Sequence, residues 1–187
     1  RTEVTSQGGE CLFLDAGDSE DTSQLESCLT RGAAMDEFMK AAGCDQITLG
    51  NAIPIRYGPQ AIENIANHFG KPLLCANLFT NKGDLYKGLI PYVIIEIKGH
   101  KIAIIGLTAP MSVYRVFFGC KAMEPIEVMP GLIQKAREDG AKTIIALTHI
   151  ASKEDIDLAE KVAGIDLIIG GHDHKQISPP VVINQTY

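Results

Sequence analysis

The sequence predicts an α/β fold with a mixed β-sheet, and three observations carry that prediction. Short, nearly all-apolar runs alternate with segments whose apolar residues recur at helical spacing, which is how sheets covered by helices read. Two β-branched runs, residues 92–97 and 102–107, flank Lys98-Gly99-His100-Lys101 like the arms of a hairpin, so not all pairing is parallel. The chain has 187 residues, 45% of them hydrophobic, enough to bury one substantial core as a single domain.

The elements follow in order. Residues 11–14 are a short apolar strand that breaks into a loop at Gly17. Residues 31–42 read as a helix, with Ala34, Met35, Phe38, Met39 and Ala42 at helical spacing and Gly43 placed to end it. The unit recurs as a strand over 46–49, ending at Gly50-Asn51, and a helix over 59–69 followed by Gly70. A third strand spans 73–78, and the hairpin comes next.

After an irregular stretch through Gly119, Pro125 and Pro130, helix and strand alternate again: helix 131–138, strand 143–147, helix 153–163, strand 165–169. Ser152 with Asp155 three residues later resembles a capping box. No internal repeat, low-complexity tract or long linker divides the chain.

A net charge of -6 and a pI near 5.3 argue against a surface that holds a nucleic-acid polymer, which needs a basic face to neutralise phosphates. A small anionic substrate remains compatible, because bound cations invert the local charge of an acidic site. No apolar run approaches the roughly 18 residues of a membrane span, so no membrane insertion is expected. The opening Arg-Thr-Glu-Val carries no charged-then-apolar leader, and the terminus assigns no compartment. Cys11, Cys28, Cys44, Cys75 and Cys120 are widely spaced, without a Cys-x-x-Cys pair, and read mostly as small buried residues.

In α/β folds function gathers at the carboxyl ends of strands, and here those ends carry Asp18, Asn51, His149, His172 and His174. The strongest local signal is Gly170-Gly171-His172-Asp173-His174. Two glycines let the backbone turn sharply after a buried strand, and a His-x-His step can send two imidazoles toward one metal centre. Asp18, after Gly17, offers a carboxylate that can bridge divalent ions, and Asn51 offers a hard amide oxygen. Each is an ordinary turn residue or loop histidine when taken alone; the set gives them weight. Asp15 precedes the turn and caps or orients the loop, Asp173 is expected to face solvent, and His68 and His100 read as surface residues.

Six segments in order resemble the calcineurin-like metallophosphoesterases, in the branch that holds 5'-nucleotidases, UDP-sugar hydrolases and cyclic-nucleotide phosphodiesterases. They are Leu14-Asp15-Ala16-Gly17-Asp18, Thr48-Leu49-Gly50-Asn51, Cys75-Ala76-Asn77-Leu78, Ile104-Ile105-Gly106-Leu107-Thr108, Leu147-Thr148-His149 and Gly170-Gly171-His172-Asp173-His174. The resemblance implies a sandwich of two mixed β-sheets flanked by helices, with divalent metal ions, zinc, manganese or similar, at the sheet ends. It implies that Asp18 bridges two ions, that Asn51, His149 and His172 hold one and that His174 helps hold the other. A metal-bound hydroxide would attack the phosphorus of a nucleotide or similar small phosphoester. Family members also suggest a periplasmic, secreted or cell-surface setting.

Two departures stand out. The family's Asp-x-His motif on a first strand is not in this sequence, so one of the two metal sites has most of its ligands here and the other does not. The family's catalytic histidine after Gly50-Asn51 is Ala52, and Ile53-Pro54-Ile55-Arg56 supplies no carboxylate, so no catalytic residue is assigned. The resemblance thus implies that residues 1–187 are one partial metallophosphoesterase domain, without the closing strands and the C-terminal nucleoside-recognition domain. Two functions are carried forward: a metal-dependent phosphoester hydrolase, and a catalytically impaired relative that binds nucleotide or serves as an interaction module. A Rossmann-like dinucleotide binder is disfavoured, because the first loop lacks Gly-x-Gly-x-x-Gly and is acidic.

Overall fold

The computed structural model describes residues 1–187. In chain order the elements are α1 (Thr2–Ser6), β1 (Leu14–Asp15), α2 (Leu25–Thr30), α3 (Ala33–Ala41), β2 (Gln46–Ile47), a π-helical turn (Ile53–Tyr57), α4 (Ala61–Phe69), β3 (Leu73–Leu74), β4 (Leu78–Phe79), β5 (Leu89–Ile90), β6 (Tyr92–Ile97), β7 (His100–Thr108), α5 (Ser112–Phe118), β8 (Lys121–Ala122), α6 (Pro125–Glu138), β9 (Thr143–His149), α7 (Ser152–Lys161) and β10 (Leu167–Gly170).

The long strands form one mixed sheet in the order β10-β9-β7-β6, parallel except for β6, which pairs antiparallel with β7. The hairpin turn is tighter than the sequence suggests. Lys98 and Gly99 both take positive φ, 49° and 79°, the form of a two-residue turn that matches strand twist, so β7 begins at His100. The second layer is built of parallel pairs, β1 with β2 and β3 with β5, joined by a parallel bridge between Thr48 and Leu74. A further pair, β4 with β8, is antiparallel, so parallel and antiparallel pairing both occur outside the first sheet. The two layers close on each other at Gly106, where a Cβ would overlap the backbone of Leu74.

Burial follows from two-faced strands. Along β9, Ile144 and Ala146 pack toward α6 and α7, while Ile145 and Leu147 pack between the layers with Leu74 and Ile104. A further cluster, including Ile47, Leu49, Ile62, Ile65 and Tyr114, sits where α4 and the π-helical turn cover the second layer. Each such side chain, wholly withdrawn from water, contributes roughly 1.5–3 kcal/mol before the entropy of ordering is charged against it.

Three local expectations need correcting. The strand expected over 73–78 is two separate pieces, β3 and β4, because Asn77 between them is buried and spends its amide on other backbone. It donates to Thr108 O at 2.7 Å and Met123 O at 2.9 Å, and accepts from Thr108 N–H at 2.9 Å. The helix expected from residue 131 starts at Pro125 and runs through Pro130, whose missing N–H leaves a carbonyl of the exposed first turn to water. Ser152 and Asp155 do not form a capping box: α7 has no side-chain cap of its own, and both residues are engaged elsewhere.

Candidate metal centre

Four loops leave the carboxyl ends of the two layers on the same side and bring Asp18, Asn51, His149 and His172 together. Asp18 follows β1 across Gly17, and both residues are left-handed, with φ of 68° and 91°. The turn is held by Asp15, whose Oδ1 accepts from Gly17 N–H at 2.9 Å, so Asp15 orients the loop. Asp18 Oδ1 then accepts from the backbone N–H of Ala52 at 2.7 Å. Gly50 is required beside it, since a Cβ there would overlap the Asp18 carboxylate.

His149, the last residue of β9, is the hub. Its Nδ1 lies 2.6 Å from the carbonyl of Ala16, which can only accept, so Nδ1 carries the proton. Its Nε2 faces Asp18 Oδ2 at 3.0 Å, Asn51 Oδ1 at 3.1 Å and His172 Nδ1 at 3.2 Å. One proton can serve only one of these contacts, whereas a cation at their centre serves all of them. Two imidazoles, a carboxylate and an amide oxygen are also a donor set that suits zinc, manganese and similar divalent ions. The ligand atoms of Asp18, His149 and His172 lie within 4.8 Å of one another. The residues fit a metal.

The electrostatics point the same way. Burial opposes the charge on Asp18, yet hydrogen bonding and charge at His149, with the N–H of Ala52, hold its pKa below the usual carboxylate value. Burial likewise opposes a charged His149, but Asp18 outweighs it and raises the imidazole pKa. His172 is shifted the other way, down, by burial and then by its neighbour His149. Without a cation the carboxylate draws a proton onto His149; a bound cation takes that proton's place.

His174 does not join the other four. It is exposed and left-handed at φ 54°, and lines a cleft of about 430 Å³ that also holds Asp15, Asp18, His149 and His172. Asp173 is not the solvated residue expected: its Oδ2 accepts from the Ser152 hydroxyl at 2.5 Å. His68 is half-buried near Glu37, and His100 is exposed near Thr143. Of the cysteines, Cys44, Cys75 and Cys120 are buried and all five are free thiols. The carbonyl of Ala16, which selects the His149 tautomer, has no side chain to mark it in the sequence.

In place of the catalytic histidine that the resemblance implies stands Ala52, 1% exposed, which contributes its backbone N–H. The next residues, Ile53 and Pro54, are buried in the π-helical turn against the second-layer core.

No family model matches the chain. Individual proteins do. The NAD 5'-nucleotidase of Haemophilus influenzae is 33% identical over 167 residues, covering 87% of this chain and 27% of that protein. The trifunctional nucleotide phosphoesterase YfkN of Bacillus subtilis is 29% identical over 217 residues, covering 97% of this chain and 15% of that protein. The solved structure of Haemophilus influenzae NAD nucleotidase superposes with a TM-score of 0.80 at 29% identity, over 92% of this chain and 35% of that one. The chain spans only a minor part of the length of these relatives.

Two strand layers close at Gly106 and carry an Asp, Asn, His, His cluster at their carboxyl ends, a candidate metal centre. The chain's relatives and structural neighbours are 5'-nucleotidases and calcineurin-like phosphoesterases, which matches the superfamily and branch that its motifs resemble.

Proposed function

We propose that this chain is the metal-binding part of a phosphoester hydrolase acting on a nucleotide or a similar small phosphoester. The observation that carries the reading is the convergence of Asp18 Oδ2, Asn51 Oδ1 and His172 Nδ1 on His149 Nε2, each within 3.2 Å. These four residues would hold one divalent ion. When bound, such an ion supplies an acidified water and offsets charge on phosphoryl oxygens.

The chain's own groups prepare that chemistry. Ala16 keeps the Nε2 lone pair of His149 turned inward, and the Ala52 N–H fixes one Asp18 oxygen so that the other faces the centre. His174 lines the cleft where a substrate phosphate would approach, free to donate to it or to join a second ion. Measuring metal content and turnover of an aryl phosphate, with chelator and with His172→Ala, tests the proposal. Turnover lost in both is expected; hydrolysis untouched by either contradicts it.

Ala52 favours a second reading, a relative that binds phosphoesters without rapid turnover. Its methyl group is buried and cannot move a proton, and loss of a positioned acid or base costs about 10² to 10⁴ in rate. Metal and nucleotide binding with turnover at background would select this reading.

A further inference from the structure

His149 and His172 arrive on different loops, and the first turn of α7 lies against both. Thr148, just before His149, donates its hydroxyl to Asp155 Oδ1 at 2.6 Å. Asp173, just after His172, accepts twice from Ser152 at its Oδ2, from the hydroxyl at 2.5 Å and from the backbone N–H at 3.2 Å. Ser152 opens α7 and Asp155 lies one turn on.

Backbone bonds complete the joint. Gly171 N–H donates to Thr148 O at 3.0 Å, and Ala151 N–H donates to Gly171 O at 3.2 Å. Gly170 leaves the space for it, since a Cβ at that position would overlap the Asp155 carboxylate. Lys175 also reaches Asp173, at 3.2 Å, but an ion pair from a largely exposed lysine adds little. Ser152 is the anchor.

His172 needs an anchor. Its φ of 92° is a left-handed conformation that typically costs a non-glycine residue about 1–3 kcal/mol, so surrounding contacts must hold it. Its ring contacts His149, another member of the same centre, and the next residue in the chain is tied to α7. The Asp155–Thr148 bond fixes the same helix to the strand that ends in His149.

We infer that Asp173 is a positioning residue: by fastening the His172 loop to Ser152 on the helix that also holds Thr148, it sets the spacing of His149 and His172 and hence the affinity of the centre for a divalent cation. The inference rests on the metal reading above. Partners one step behind a metal ligand typically change affinity about 10- to 100-fold when removed.

The test is calorimetric titration with Mn²⁺ of the unsubstituted chain, Asp173→Ala, Asp173→Asn, Ser152→Ala and the Asp173→Ala/Ser152→Ala pair. Asp173→Ala is expected to bind Mn²⁺ at least about tenfold more weakly. Asp173→Asn, whose amide oxygen still accepts from Ser152, stays within about threefold of the parent. The double variant is no weaker than Asp173→Ala, since both changes remove one joint. Amide exchange at Ala151 and Gly171 in metal-free protein should quicken in Asp173→Ala and not in Asp173→Asn. Ser152→Ala cuts the hydroxyl bond alone and keeps the question decidable if Asp173→Ala does not fold. Parental affinity and unchanged exchange in Asp173→Ala or Ser152→Ala overturn the inference and leave the metal centre standing. Equal loss in Asp173→Asn and Asp173→Ala also overturns it, and a parent that binds no Mn²⁺ removes the metal reading and this inference together.

Discussion

The backbone N–H of Ala52 donates to Asp18 Oδ1 at 2.7 Å, so the position that lacks a catalytic side chain still helps build the proposed metal centre. Asp18 is left with one oxygen fastened and one, Oδ2, facing His149 at 3.0 Å. The loop from Gly50 to Ala52 therefore serves geometry through its main chain.

That geometry depends on the missing side chain at Gly50. A Cβ there would fall on the Asp18 carboxylate and the adjoining backbone. Gly50→Ala should displace Asp18 and weaken Mn²⁺ binding by at least about tenfold, with a stability loss on the order of 1–3 kcal/mol from overpacking. Calorimetric titration and thermal melting of the same sample read both effects.

Metal binding should depend on pH through His149. Its pKa is raised in the metal-free fold, chiefly because Asp18 overcomes the cost of burial, so a proton must leave before the cation enters. Affinity for Mn²⁺ is expected to fall as pH drops from about 8 to about 6, with proton release on binding shown by heats that vary with buffer ionisation enthalpy. A flat profile would mean that His149 is not displaced of its proton by the ion.

A second titration lies behind the Asp18 loop. Glu20 and Asp36 are both wholly buried, face each other, and have no hydrogen-bond donor for any of their four carboxylate oxygens. Burial, with neighbouring carboxylates, pushes both pKa values up, that of Asp36 to about 7. A carboxyl group whose pKa is raised on folding stabilises the fold below its unfolded value and loses that stabilisation as pH rises through its folded value, here from about 4 to about 7. Asp36→Asn should supply a donor to Glu20, raise stability at pH about 8 by on the order of 1–3 kcal/mol, and flatten the decline over that window. Denaturant melts of both proteins across the pH range measure it.

Much of this was legible in the sequence because it follows from apolar periodicity and from glycines at strand ends. The run from Thr143 to Leu147 is apolar on both faces because both faces are covered, and Gly170-Gly171 marks the sharp turn that presents His172. What the sequence hid are contacts between residues far apart in the chain. Asn77 breaks a strand by bonding to Thr108 and Met123, and Asp173 looks solvated until Ser152, 21 residues earlier, is seen against it. Main-chain partners such as the carbonyl of Ala16 and the N–H of Ala52 carry no residue-type signal at all.

The central claim is that Asp18, Asn51, His149 and His172 together hold one divalent ion. Titration of Mn²⁺ into the unsubstituted chain and into His149→Ala tests it most directly, because His149 Nε2 touches the other three ligands. Saturable binding near one equivalent at this centre, lost in a folded His149→Ala variant, is the predicted result. No binding by the unsubstituted chain, or equal affinity in His149→Ala, would contradict it.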